Sequence, residues 1–140
     1  MNFFDTNILI AASIAAHPAH QASNERLGHL KKTGAACAAH SLAEAFSTFT
    51  RMPQPYRIPP SDALRIVQQT TETCTLVTLT ASETLRTIKD IAERGLGGFL
   101  VSDALLLACA RKIDAKRIYT SNLMHFRKIA PDLASRIYEP

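Results

Sequence analysis

The chain has 140 residues, 46% of them hydrophobic and 20% charged, with a formal net charge of +4. That length holds one domain with a genuine core and is short for two; the composition is that of a soluble globular protein, and no window is long and apolar enough for a transmembrane helix. The positive surplus permits a polyanionic partner without demanding one, since the basic residues are scattered in small groups, "HLKK", "ARKIDAKR" and Arg127-Lys128.

In chain order, "NFFD" reads as a short buried strand and "TNILIAASIAA" as the helix it opens, with Thr6 or Asn7 as N-cap. The stretch "ILIAASIAA" imitates a signal peptide, but no Lys or Arg precedes Arg26, so the basic leader is missing and a mature cytoplasmic protein is expected. "ASNERLGHLKKTG" predicts a second, more exposed helix ending at Gly34. "AACAA" is a buried strand, and "SLAEAFSTFTR" a helix with Ser41 as cap and Glu44 three residues on, the spacing of a capping box.

"MPQPYRIPP" holds four of the seven prolines and is a loop. After it come a helix, "SDALRIVQQTTE", starting at Ser61 or Pro60, the best strand in the chain, "CTLVTL", and a helix, "TASETLRTIKDIAERG", stopped by Gly95. "LGGF" is a turn, "VSDALLLACARKI" an apolar helix, "RIYT" a strand, "SNLMHFRKIAP" a loop or short helix, and "RIYE" a last strand closing the sheet. Strands alternating with helices over the whole length predict a single α/β domain, residues 1–140, with a mostly parallel central sheet and helices on both faces.

In such a sheet ligands bind beyond the carboxyl ends of the strands. Asp5 falls at one such end and Asn122 just past another; Asp103 opens a helix that is apolar almost all round, and Glu44 lies early in the helix after "AACAA". Each has an innocent role: Asp103 as a first-turn acid, Glu44 as half of a capping box, Asn122 as a turn residue. Asp5 is harder to explain away, because a carboxylate directly after Phe3 and Phe4 has few partners and an unpaired buried charge is costly. Gathered carboxylates need a cation, and oxygen donors without His or Cys suit Mg²⁺ or Mn²⁺, which activate water against phosphodiesters.

The stretches "FFDTNILI", "SLAEAFSTFTR", "VSDALLLACA" and "IYTSNLMHF" resemble the successive motifs of the PIN-domain nucleases, and their order and spacing resemble the VapC-type toxins of toxin–antitoxin pairs. The resemblance covers nearly the whole chain. It implies a PIN-like three-layer sandwich, metal ligation by Asp5, Glu44 and Asp103, a first loop shaped by Thr6 and Asn7, and Thr120 and Asn122 completing the site. Where the family often carries Asp, Asn122 removes one charge, which favours one metal over two before substrate arrives. Also implied are Mg²⁺-dependent endoribonuclease activity, with Mn²⁺ able to substitute, homodimerisation and inhibition by a small antitoxin, with Ser41 to Arg51 and the proline-rich loop as partner surface. Arg51 is a candidate phosphate contact. The alternative is a PIN-like RNA- or protein-binding module with a disabled centre. A haloacid-dehalogenase-type phosphatase would need a second Asp where this chain has Asn7.

Several signals point to ordinary structure. Cys37, Cys74 and Cys109 are odd in number, far apart and set in apolar stretches, as core residues of a reducing compartment would be. His17 and His20 read as helix-start residues; His125, close enough to Asn122 to approach substrate, reads first as a loop histidine; and Gly95, Gly97 and Gly98 form no P-loop. Phe46, Phe49, Phe99 and Phe126 are expected in the core.

Overall fold

The computed structural model describes residues 1–30 and 34–140. Five strands form one sheet in the order β3-β2-β1-β4-β5, every neighbouring pair parallel. The strands are β1 (Asn2–Phe4), β2 (Ala35–Ala38), β3 (Thr75–Val77), β4 (Arg117–Tyr119) and β5 (Ile137–Tyr138). The chain starts in the middle of the sheet, builds outward through β2 to β3, then returns to the other side of β1 for β4 and β5. The point of reversal lies between β1 and β4, where Phe4 pairs with Tyr119, and a crevice opens at such a point beyond the strand ends.

Alternation along the strands divides the core in two. Phe3, Ala36, Ala38, Val77 and Ile118 face one layer, formed by α5 (Ala81–Glu93), α6 (Leu100–Lys112) and α7 (Leu123–Ile129). Phe4, Ala35, Cys37 and Tyr119 face the other, where α1 (Thr6–Ser13) supplies Ile8 and Leu9, and Leu27 of α2 (His20–Gly28) packs at the margin. A satellite cluster built on Ala45, Phe49 and Ala63 ties α3 (Ser41–Arg51) to α4 (Pro60–Thr73), with Ile10 and Ile14 packed against it. The sheet therefore lies between two helical layers, the expected α/β sandwich. The three cysteines are buried core side chains. Among the described residues no helix is long and apolar enough to cross a membrane.

Helix α6 reads as apolar nearly all round because both its sides are covered: Ala104, Leu106, Leu107, Cys109 and Ala110 are all buried. Helix α5 shows the clearest punctuation. Thr80 and Glu83 form a capping box at its start. At its end Leu96 N–H reaches the Ile91 carbonyl at 2.8 Å and Gly95 N–H the Ala92 carbonyl at 3.0 Å. That Schellman closure needs a left-handed residue, and Gly95 supplies it at φ +71°.

Some expectations shift. The second helix ends at Gly28, where a glycine costs helix stability, and not at Gly34; Lys31, Lys32 and Thr33 lie outside the described residues. "CTLVTL" keeps only three strand residues because it is an edge, paired on one side to the short β2. Asp5, rather than Thr6 or Asn7, is the N-cap position of α1. The residue before α3 is His40 in a helical conformation, so Ser41 is already inside the helix and forms no capping box with Glu44. Phe49 and Phe126 are fully buried and Phe46 packs against the α3–α4 cluster, whereas Phe99 is 96% exposed, directly before α6 on the turn that follows Gly97 and Gly98.

Candidate functional site

Beyond the β1 and β4 ends lies a cleft of about 540 Å³ lined by Asp5, Thr6, Asn7, Glu44, Arg51, Ser102, Asp103 and Asn122, among others. Of the residues singled out from the sequence, all but Thr120 reach this lining. Thr120 is fully buried one step behind it, held by its contact with Asp5.

Each carboxylate arrives by a different route. Asp5 ends β1 and heads α1; its backbone N–H bonds the Tyr119 carbonyl of β4 at 3.0 Å, which locks it at the crossover. Its Oδ2 accepts a hydrogen bond of 2.7 Å from Thr120 Oγ1, which itself accepts from Asn122 N–H at 2.9 Å. Asn7 bridges the same gap, accepting from Ser121 N–H at 3.3 Å. Asp103 comes from the first turn of α6, pushed inward because the helix is buried. Glu44 comes from α3 and receives two hydroxyl protons at 2.7 Å, from Thr6 Oγ1 on α1 and from Ser102 Oγ on α6. Ser41 Oγ, fully buried, lies 2.8 Å from the same Thr6 oxygen. Glu44 thus ties three helices together at the cleft.

The electrostatics are those of a site short of positive charge. Burial pushes the Asp5 carboxyl up to about 6; the Thr120 hydrogen bond opposes the rise and the negative charge of Asp103 adds to it. Burial also raises Asp103, against the pull of the His125 hydrogen bond and with the push of Glu44. Among the described residues no Lys or Arg forms an ion pair with these three carboxylates; the basic side chain in contact with one of them is His125, whose Nδ1 stands 3.3 Å from Asp103 Oδ2. A carboxylate cluster so placed is eased either by protons or by a cation.

The donor set fits a hard divalent cation. It is all oxygen, without Cys, and Mg²⁺ characteristically takes one or two carboxylates and keeps several waters. As they are placed, no three His, Cys, Asp or Glu side chains among the described residues enclose an ion. Each of the three carboxylates already accepts at least one hydrogen bond: Glu44 from Thr6 and Ser102, Asp5 from Thr120, and Asp103 from His125. Asp5, Glu44 and Asp103 all line the same cleft and are the acidic side chains there that could hold a cation.

Three residues here have roles that sequence reasoning did not assign. Ser41 looked like a cap, Ser102 drew no notice beside Asp103, and His125 looked like a loop residue although it sits in α7 against Asp103. All three lie inside the stretches already singled out, which was the available signal. Arg51, the last residue of α3, is exposed at the rim. His20 opens α2, well away from the cleft.

The family model for the PIN domain matches residues 3–131. Ribonuclease VapC27 of Mycobacterium tuberculosis is 31% identical over 106 residues, 76% of this chain and 74% of that protein. Among solved structures, Mycobacterium tuberculosis VapC20, titled a sarcin-ricin loop cleaving toxin, superposes with a TM-score of 0.66 at 19% identity, covering 84% of this chain and 87% of that one. VapBC2 of Rickettsia felis, solved on a DNA fragment of its promoter, gives 0.64 at 20% identity over 91% and 92%. These two structures carry the fold; the family rests on the sequence matches.

Proposed function

Since the chain belongs to the PIN-domain family, we propose that it is a divalent-metal-dependent endoribonuclease, the toxin of a toxin–antitoxin pair. The observation that carries this reading is the meeting of Asp5, Glu44, Asp103 and Asn122 in one electron-rich cleft at the sheet's crossover. Asp5 and Asp103 would hold Mg²⁺ or Mn²⁺, and Glu44 would bind the ion as well or orient the attacking water. When bound, such an ion would supply charge neutralisation at the phosphate and a lower pKa for a bound water. The chain's own residues do the rest. Thr120 and Asn122 fix the Asp5 carboxylate, Thr6 and Asn7 shape the floor, and Arg51 reaches a substrate phosphate from the rim. Hydrolysis leaves a 5′-phosphate and a 3′-hydroxyl.

A toxin-antitoxin complex from Klebsiella pneumoniae shares this fold, and the surface here offers places for protein partners. Tyr56 in the proline-rich loop, the region expected for the antitoxin, is 55% exposed, and Leu64 on the following helix α4 is 49% exposed. On α5, Ala81, Leu85, Ile88 and Ala92 are all exposed and follow one another at spacings of four, three and four, an apolar seam that a second copy of the chain would cover. We place the protein in the cytoplasm, where RNA and antitoxin meet.

The test is cleavage of a pool of structured RNAs by the purified chain with Mg²⁺ or Mn²⁺, with EDTA, and by Asp5→Asn. Metal-dependent cutting that is lost in the variant supports the reading, and the cut ends name the substrate. Intact protein that neither cuts RNA nor binds Mn²⁺ overturns it in favour of a binding module.

A further inference from the structure

Each carboxylate in the cleft has a brace. Thr120 holds Asp5, and Thr6 and Ser102 hold Glu44. For Asp103 the brace is a histidine. We propose that His125 is the positioning residue for Asp103, and that it sets the cleft's affinity for a divalent cation by fixing the orientation of that carboxylate. The inference rests on the reading of Asp103 as an ion-holding group.

The placement of His125 follows from how α7 is anchored. The helix begins directly after Asn122, with Phe126 N–H bonded to the Asn122 carbonyl at 3.1 Å. Phe126 is fully buried and Ile129 nearly so, and both belong to the cluster that includes α6. The residue between Met124 and Phe126 is thereby held at a fixed height against the first turn of α6. Its Nδ1 reaches Asp103 Oδ2 at 3.3 Å across 22 residues of sequence. An ionised carboxylate only accepts, so the tautomer engaged here carries its proton on Nδ1.

The environments of the two partners are unequal. The His125 side chain is half exposed, whereas that of Asp103 is 12% exposed. An exposed ion pair would contribute little. Here the imidazole is the hydrogen-bond partner of a mostly buried carboxylate oxygen, and removing it leaves that oxygen without its donor. With Oδ2 engaged by the imidazole, Oδ1 is left for the cleft. Partners that orient a ligating carboxylate in this way typically change metal affinity by about 10- to 100-fold when lost.

The experiment measures Mn²⁺ binding to the full chain by the electron paramagnetic resonance signal of free Mn²⁺. It compares the parent with His125→Ala, His125→Asn, His125→Gln and Asp103→Asn, with RNA cleavage followed as a function of Mn²⁺. His125→Ala is expected to weaken binding by about tenfold or more. His125→Asn, which keeps an N–H at the δ position, restores most of the loss and His125→Gln does not, so the comparison stands even if the alanine variant folds poorly. Cleavage by the alanine variant should fall at low Mn²⁺ and return at saturation. Unchanged Mn²⁺ affinity in His125→Ala beside a clear loss in Asp103→Asn overturns the proposal alone. A cleavage defect that persists at saturating Mn²⁺ also overturns it, since His125 would then act on the RNA. Unchanged affinity in Asp103→Asn overturns the reading of the cleft and this proposal with it.

Discussion

The stretches "SLAE", residues 41–44, and "TASE", residues 80–83, carry the same four-residue signature at the start of a helix, and the structure uses them for opposite ends. In the second, Thr80 is extended at ψ 165° and closes a capping box: its hydroxyl accepts from Glu83 N–H at 3.2 Å, and Glu83 Oε2 accepts from Thr80 N–H at 2.7 Å. In the first, the chain turns one residue earlier, at His40 with ψ −18°, so Ser41 and Glu44 both fall inside the helix. Glu44 no longer reaches back to its own helix start. It reaches sideways, to Thr6 and Ser102 on two other helices. One glutamate serves its own helix, the other serves the cleft, and a one-residue offset in the helix start separates them.

The largest expected difference between the two is in activity. Glu44→Gln should lower RNA cleavage by at least about 100-fold, on the scale of a lost acid–base or positioning group, while Glu83→Gln leaves it near the parent rate. Single-turnover cleavage at saturating Mn²⁺ checks both. Equal loss in the two variants would mean that Glu44 acts through the stability of its helix and not at the cleft. Gln still accepts one hydroxyl proton, so the tie among the helices is kept in part and the variant should remain folded.

The second effect concerns what the cleft costs the fold. Asp5 is 3% exposed and its carboxyl is pushed up from 3.8 to about 6. The folded chain therefore takes up this proton at a higher pH than the unfolded chain. The destabilisation is full above about pH 6 and is gone below the unfolded value of 3.8. Roughly two pH units correspond to on the order of 3 kcal/mol. Metal-free protein should accordingly gain stability as pH falls through 6, and Asp5→Asn should melt higher than the parent at pH 7.5 and lack that gain. A lower melting temperature for Asp5→Asn in EDTA would make Asp5 a structural acid, and the cleft would then resemble the cap at α5.

How much of this was legible in the sequence follows from the range of the forces involved. The strand-and-helix alternation could be read because it is local: Phe3 and Phe4 face opposite layers by strand geometry alone, and Gly95 stops α5 for a backbone reason. Asp5 stood out because a charge after a buried strand needs an explanation. The register of Ser41 did not, because the helix start is decided by the turn at Ala39 and His40, which no side-chain pattern marks. Nor did the roles of Ser102 and His125, which exist only through contacts 58 and 22 residues away in sequence. Phe99 shows the limit from the other direction: its hydrophobicity predicted burial, but it sits on the turn before α6 and is 96% exposed.

The smallest effects belong to the cap, and they sharpen the contrast because they run with the opposite sign in pH. Thr80→Ala removes the acceptor for Glu83 N–H and should lower stability by about 1 kcal/mol, measured by urea unfolding. Cleavage should be untouched. Glu83 is held down to about 2, chiefly by Lys112, whose Nζ lies 2.7 Å from its Oε2, and next by the Thr80 amide. A lowered folded value means that its stabilisation is present above the unfolded value of 4.5 and is lost as pH falls from there toward 2. Because the pair is exposed, added salt should shrink this acid limb, and Glu83→Gln should flatten it. In one acid titration of metal-free protein, then, Asp5 adds stability between pH 7 and 4 and Glu83 withdraws it below 4.5. If Glu83→Gln left the lower limb as steep as in the parent while Thr80→Ala still cost stability, the cap would rest on the threonine hydroxyl alone, and its likeness to "SLAE" would be closer than the structure makes it.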